Sequence, residues 1–201
     1  MHEGVERALA EARALGFLGP GPLDQHERSA QAFLDALGTP PEGARVLDLG
    51  SGGGVPGLLL AAAWPATSWV LLDNHRRRTS FLANMVAVLG WGARVQVVRA
   101  AAEVAGHEPE HREQYDLVVS RSFGPPPATA ECAAAFLRRD GRMAVAEPPA
   151  DAAADRWPEG PLRELGLHQE QRGAVAVFRR IGDLPPDVAR PWKTMERRPR
   201  W

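Results

Sequence analysis

One stretch, RVLDLGSGGGVPGLLLA from Arg45 to Ala61, constrains the chain more than any other. A largely apolar strand runs into an acid and a cluster of glycines, and the glycines run into an apolar helix. A strand that passes straight into a helix opens a strand-helix-strand unit, and such units build parallel sheets. The glycines give the turn backbone angles that other residues avoid, and they let main-chain N–H groups approach a ligand closely.

The alternation continues downstream. Hydrophobic patterning predicts strands over 44–49, 68–73, 94–99, 115–120 and 142–146, with helices over 56–63, 76–89 and 128–137. Pro56 suits the first turn of its helix, where a missing N–H costs nothing. A closing antiparallel hairpin is expected from 167–171 and 174–179. Upstream, helices are expected over 5–15 and 24–37, the second capped by Asp24, with the breaker GFLGPGP between them. The segment 148–161 reads as loop plus a short helix. The fold class is therefore α/β, a mostly parallel sheet covered on both faces, closed by a hairpin and preceded by N-terminal helices. The expected division is a helical extension over 1–43, a ligand-binding domain over 44–182 and a basic tail over 183–201.

Composition excludes several classes. With 201 residues, 44% of them hydrophobic, the chain suits one domain with one sizeable core. A net charge of −1 is not that of a wholly basic nucleic-acid binder, although the ending RPWKTMERRPRW is strongly basic. The single cysteine, Cys132, excludes an intrachain disulfide and a cysteine-rich zinc site, and its Ala-rich surroundings suit core packing. Charges throughout the first residues, and no apolar run of about 18, lead us to expect a soluble cytoplasmic protein without a membrane partner.

The glycine turn reads two ways. Gly52, Gly54 and Gly57 spell the dinucleotide fingerprint G-x-G-x-x-G. Asp48, Gly50, Gly52 and Gly54 spell D-x-G-x-G-x-G, the pattern of S-adenosylmethionine sites. Asp48 favours the second, because an acid beside the turn repels a pyrophosphate and attracts a sulfonium and an ammonium. Asp73, at the end of the second strand, could accept hydrogen bonds from both ribose hydroxyls in either case. The alternative for Asp73 is to cap the next helix. A P-loop is excluded, since no Gly-Lys-Ser/Thr follows the glycines.

The segment HEPEH, from His107 to His111, formally matches a zinc-protease motif. Pro109 in its middle opposes the helix that would bring the two histidines together, so no metal site is expected.

Five ordered motifs resemble one family, the bacterial small-subunit ribosomal RNA guanine-N7 methyltransferases, also called glucose-inhibited division protein B. They are GFLGP from Gly16, DLGSGGGVPG, LLDNHRRRTSFL, RAAEV and YDLVVSRSF, between about Gly16 and Glu147. The closing hairpin fits the class I methyltransferase version of the Rossmann-like fold. The resemblance implies S-adenosyl-L-methionine as cofactor, with Gly50, Ser51, Gly52, Gly54 and Val55 lining it. It also implies Ala102 and Glu103 beside the adenine and Arg121 at the cofactor or substrate mouth. It implies rRNA of the small ribosomal subunit as substrate, and DNA is not expected. Two departures stand out. The family's WN-x-x-x-NLT segment is missing, and Glu147 stands where a strand usually ends in Lys-Gly. A class I methyltransferase acting on a small molecule or another RNA, and a non-catalytic cofactor-binding relative, therefore remain alternatives.

Guanine N7 has an in-plane lone pair and no proton to lose, so its methylation needs no general base, and no catalytic residue is nominated. Arg76, Arg77, Arg78, Arg190, Lys193, Arg197, Arg198 and Arg200 are candidate phosphate contacts, with Trp192 and Trp201 able to stack on bases.

Overall fold

The computed structural model describes residues 3–19, 22–148 and 156–201. The elements in chain order are α1 (Glu3–Ala14), α2 (Leu23–Leu37), β1 (Arg45–Leu49), α3 (Gly57–Ala63), β2 (Ser68–Asp73), α4 (Arg76–Val88), β3 (Val95–Arg99) and α5 (Ala102–Ala105). There follow β4 (Tyr115–Ser120), α6 (Pro126–Phe136), β5 (Leu137–Ala146), α7 (Glu159–Glu164), β6 (Leu167–Gln171), β7 (Val175–Arg180) and α8 (Trp192–Arg197). The seven strands form one sheet in the order β3-β2-β1-β4-β5-β7-β6. The first five run parallel, and β7 pairs antiparallel with both β5 and β6.

Side chains alternate across this sheet, so each face buries its own core. Leu47, Leu49, Val70, Leu72, Val118, Met143 and Phe178 face one layer, which also holds residues of α5, α6, α7 and α8. Val46, Trp69, Leu71, Leu117, Val119 and Val177 face the other, with α1, α2, α3 and α4. Strands buried on both sides explain the near-continuous apolar runs of β1, β2 and β4.

The chain order reverses between β1 and β4, whose neighbours lead away in opposite directions. Ligands of open α/β sheets bind at such a switch point, outside the carboxyl ends of the strands. There the Ser120 hydroxyl donates to the Leu49 carbonyl at 3.1 Å and pins the ends of β4 and β1 together.

Local corrections follow from caps and pairing. Asp24 does not cap α2: Pro22 occupies the cap position, and Asp24 lies in the first turn, ion-paired with Arg28. Pro56 likewise stands at the cap of α3, which begins at Gly57. β5 begins at Leu137, ahead of the expected 142, because the chain pairs with Tyr115 before an irregularity and then resumes from Arg142. α5 has no counterpart in the expected pattern. Part of the expected breaker GFLGPGP, and half of the expected loop over 148–161, lie outside the described residues.

Candidate active site

The glycine turn is built around Asp48. This residue is the last but one of β1, and none of its surface is exposed. Its Oδ2 accepts the Gly57 N–H at 3.1 Å, and Oδ1 is buried without a hydrogen-bond partner. A Cβ on Gly57 would lie 2.3 Å from that Oδ2, so only glycine lets the start of α3 sit against the acid. Burial pushes the Asp48 carboxyl up to about 7, and the nearby charge of Asp73 adds to the shift. The Ser51 hydroxyl, the Gly57 N–H and the charge of Arg121 oppose only part of this.

Gly50, Gly52 and Gly54 all have positive φ, which explains glycine at every second position. The N–H groups of Gly50 and Ser51 both donate to the Leu72 carbonyl at 2.9 Å. The Gly52 N–H donates to Asp73 Oδ2 at 2.9 Å, and the His75 N–H donates to Asp73 Oδ1 at 2.8 Å. Asp73 thus braces the glycine turn and the entry to α4 together. The helix-capping alternative describes part of its role, and the remaining lone pairs of its oxygens stay available to a ligand.

A cleft opens at the carboxyl ends of β1, β2 and β3. Asp73, Asn74, Ala102, Glu103, Phe123 and Trp192 are among its walls, together with Gly50, Leu72 and Ala100. Four of the ten residues expected at the cofactor therefore line it: Gly50, Asp73, Ala102 and Glu103. Asp48, Ser51, Gly52 and Gly54 form the turn behind it. Val55 is packed into the core beside α3 and is not a wall of the cleft.

Arg121 lines a second, adjoining cleft at the ends of β4 and β5, with Ser29, Ser122, Glu147 and Arg156. Phe123 is common to both clefts. Arg121 Nη2 donates to His26 Nδ1 at 3.0 Å. His26 is buried on α2, and burial, then the charges of Arg121 and Arg13, lower its pKa, which keeps the ring a neutral acceptor. Arg121 is thus tied to α2 by a hydrogen bond to a histidine. Glu147 does not present a bare negative charge: Arg156 pairs with it at 3.1 Å, and the Trp157 indole N–H donates to it at 3.0 Å.

The basic ending departs most from expectation. Glu131 on α6 is fully buried and accepts three hydrogen bonds from Arg190 and one from Arg200. Burial alone would raise its carboxyl, but these bonds and charges hold it below the usual range. Arg190 and Arg200 are therefore internal clamps rather than contacts for RNA. Trp192 lines the first cleft, and Trp201 packs near Trp157 while donating to the Arg156 carbonyl. Lys193, Arg197 and Arg198 remain exposed, as do Arg76 and Arg77 at the start of α4. Arg78 lies 3.7 Å from Asp73.

The histidines of HEPEH serve packing. His107 meets the Ala189 carbonyl, and His111 meets the Tyr115 hydroxyl at 2.7 Å. Among the described residues no group of three His, Cys, Asp or Glu could hold a metal ion. Cys132 is buried, and desolvation raises its thiol pKa. His26 and Phe123 are not among the sequence-predicted site residues, and Trp192 is predicted only as a residue able to stack on RNA bases, not as a wall of this cleft. Phe123 carried a signal, as the last residue of a matched motif, whereas His26 and Trp192 are placed only by tertiary packing.

A family model described as rRNA small subunit methyltransferase G matches residues 30–151. A ribosomal RNA small subunit methyltransferase G of Salinispora arenicola is 38% identical over 191 residues, 92% of this chain and 68% of that protein. One from Synechococcus sp. (strain CC9311) is 39% identical over 106 residues, 53% of this chain. The match covers only 42% of that protein and 53% of a relative from Roseiflexus castenholzii, so the chain spans about half the length of these relatives. Among solved structures, a Corynebacterium glutamicum protein superposes with a TM-score of 0.63 at 16% identity, covering 91% of this chain and 92% of that one. A geranyl diphosphate methyltransferase superposes at 0.52 with 16% identity, covering 59% and 44%. These likenesses identify the fold as that of class I methyltransferases.

Proposed function

Because the chain belongs to the rRNA small subunit methyltransferase G family, we propose that it binds S-adenosylmethionine at the glycine turn and transfers the methyl group to N7 of a guanine in small-subunit ribosomal RNA. The observation that carries this is the charge of the site. Asp73 and Glu103 line the cleft and buried Asp48 stands behind it, so that these acids outnumber the cation beside them, Arg78 at 3.7 Å from Asp73. Such a surface repels the phosphates of a dinucleotide and favours a ligand bearing a sulfonium and an ammonium. The residues fit that group. The unpartnered Oδ1 of Asp48 is a buried acceptor without a donor, and the positive-φ glycines keep the turn free of side chains.

When bound, the cofactor supplies an electrophilic methyl on sulfur. The protein's part is positional. Asp73, held by the N–H groups of Gly52 and His75, is oriented to accept the ribose hydroxyls. Ala102 and Glu103 border the base, and Gly50, Ser51, Gly52 and Gly54 carry the turn. Asp48 balances the cationic end. The adjoining cleft with Ser29, Arg121, Ser122 and Glu147 would receive the acceptor base. Guanine N7 attacks with a lone pair and releases no proton, so orientation and exclusion of water suffice without a general base. Residues 44–182 would carry most of this site, with Ser29 and Trp192 added from the flanking segments.

Exposed Arg76 and Arg77 follow the cleft residue Asn74 closely in the chain and are the proposed RNA phosphate contacts. Three arginines in the first turn of α4 oppose the helix dipole, a cost that phosphate binding would offset. No helix among the described residues is long and apolar enough to cross a membrane. A ribosomal RNA substrate would place the protein in the cytoplasm.

Calorimetric titration with S-adenosylmethionine, S-adenosylhomocysteine and NAD tests the assignment. Binding of the first two and not the third is expected. Binding of NAD alone, or of none by folded protein, would overturn it.

A further inference from the structure

We infer that Trp192, from a segment beyond the family-matched residues, is a wall of the nucleoside end of the cofactor cleft, so that the C-terminal segment belongs to the small-molecule site. This rests on the cofactor reading above. Trp192 lines the same cleft as Asp73, Ala102, Glu103 and Phe123. Its indole meets the Phe123 ring edge-to-face, with centroids 5.6 Å apart and planes at 86°. Phe123 in turn closes on the glycine turn, since a Cβ on Gly50 would lie 2.7 Å from its ring. Gly50, Phe123 and Trp192 are thus in contact one after another. Gly124 makes room for the last of them, because a Cβ there would lie 2.9 Å from the indole.

The segment carrying Trp192 is fixed rather than loosely laid on. Arg190, two residues before it, forks onto fully buried Glu131 with Nε at 2.8 Å and Nη2 at 2.6 Å. Arg200 reaches the same carboxylate at 3.0 Å from the other end of α8, and Met195 between them is buried. A charge taken wholly out of water is tolerated only when well paired, and here two guanidinium groups satisfy one carboxylate. The clamp holds the indole at the cleft.

The chemistry of the walls divides to match a nucleoside. The carboxylates of Asp73 and Glu103 suit hydroxyl donors. The aromatic pair Phe123 and Trp192, with Ala100, Ala102 and Leu72, suits the flat apolar surface of a base.

The test is calorimetric binding of S-adenosylhomocysteine and of 5′-methylthioadenosine, which lacks the amino-acid end. It uses the wild type, Trp192→Ala and Trp192→Phe, with melting curves to establish folding. Trp192→Ala is expected to weaken both ligands about tenfold, as removing one aromatic stack from a base does. Trp192→Phe should recover affinity to within about threefold. A folded Trp192→Ala that binds like the wild type would overturn the inference while leaving the cofactor reading intact. Wild type that binds neither ligand would overturn both. Should Trp192→Ala fail to fold, the Trp192 emission, taken as wild type minus Trp192→Phe, decides: quenching by S-adenosylhomocysteine supports the contact, and an unchanged difference spectrum refutes it.

Discussion

Asp48 concentrates the tension between stability and function at the scale of one residue. Its carboxyl titrates near 7 in the folded chain and near 4 in an unfolded one. Below about pH 4 both states hold the proton and the group costs nothing. Between those values the unfolded chain releases its proton first, so stability falls as pH rises through the folded pKa. Asp48→Asn removes that slope. The melting temperature of the variant relative to wild type should therefore climb from about pH 5 to about pH 8, and a constant difference would contradict the assignment. A cationic ligand favours the ionised acid, so wild-type affinity for S-adenosylmethionine should strengthen from about pH 5 to about pH 7, and the variant should lose both the affinity and its pH dependence. Gly57 belongs to the same account. Gly57→Ala would press a methyl against Asp48 Oδ2 and within 2.8 Å of Leu71. A loss of about 1–3 kcal/mol in denaturant unfolding is expected, as for other overpacked cores.

Among the elements, the C-terminal helix depends on one buried acid. Glu131→Ala leaves Arg190 without its carboxylate and Arg200 with only its bond to Asp187 at 2.9 Å, and should cost about 3–5 kcal/mol, as breaking a buried pair does. It should also open the segment around α8 to limited proteolysis before the rest of the chain is cut. Wild-type resistance in that variant would show that other contacts hold the helix. This clamp was not legible in the sequence. Arg190 and Arg200 lie 59 and 69 residues from Glu131, and nothing in the pattern of a basic ending distinguishes internal partners from free cations. The β1 turn was legible for the opposite reason: a strand, an acid, three positive-φ glycines and a helix lie within one short stretch and determine each other locally. Asp73 falls between these cases. Its place at the end of β2 followed from the pattern, while its bond to the Gly52 N–H came from pairing β2 beside β1.

At the scale of the whole molecule, two adjoining clefts share Phe123, one acidic and suited to a nucleoside, the other bearing Arg121 and its buried partner His26. The exposed arginines at the start of α4 form a basic surface two residues beyond the cleft residue Asn74. Replacing Arg76 and Arg77 with glutamate should weaken binding to ribosomal RNA and flatten its salt dependence by about one unit of slope for each phosphate no longer neutralised, while S-adenosylhomocysteine still binds. Equal RNA affinity in the variant would move the substrate surface elsewhere. The most direct measurement is incubation of the protein with isotopically labelled S-adenosylmethionine and unmodified small ribosomal subunits, followed by mass spectrometry of the digested RNA. The account predicts labelled 7-methylguanosine that appears only when the protein is present. Label at another atom, or none from protein that binds the cofactor, would contradict it.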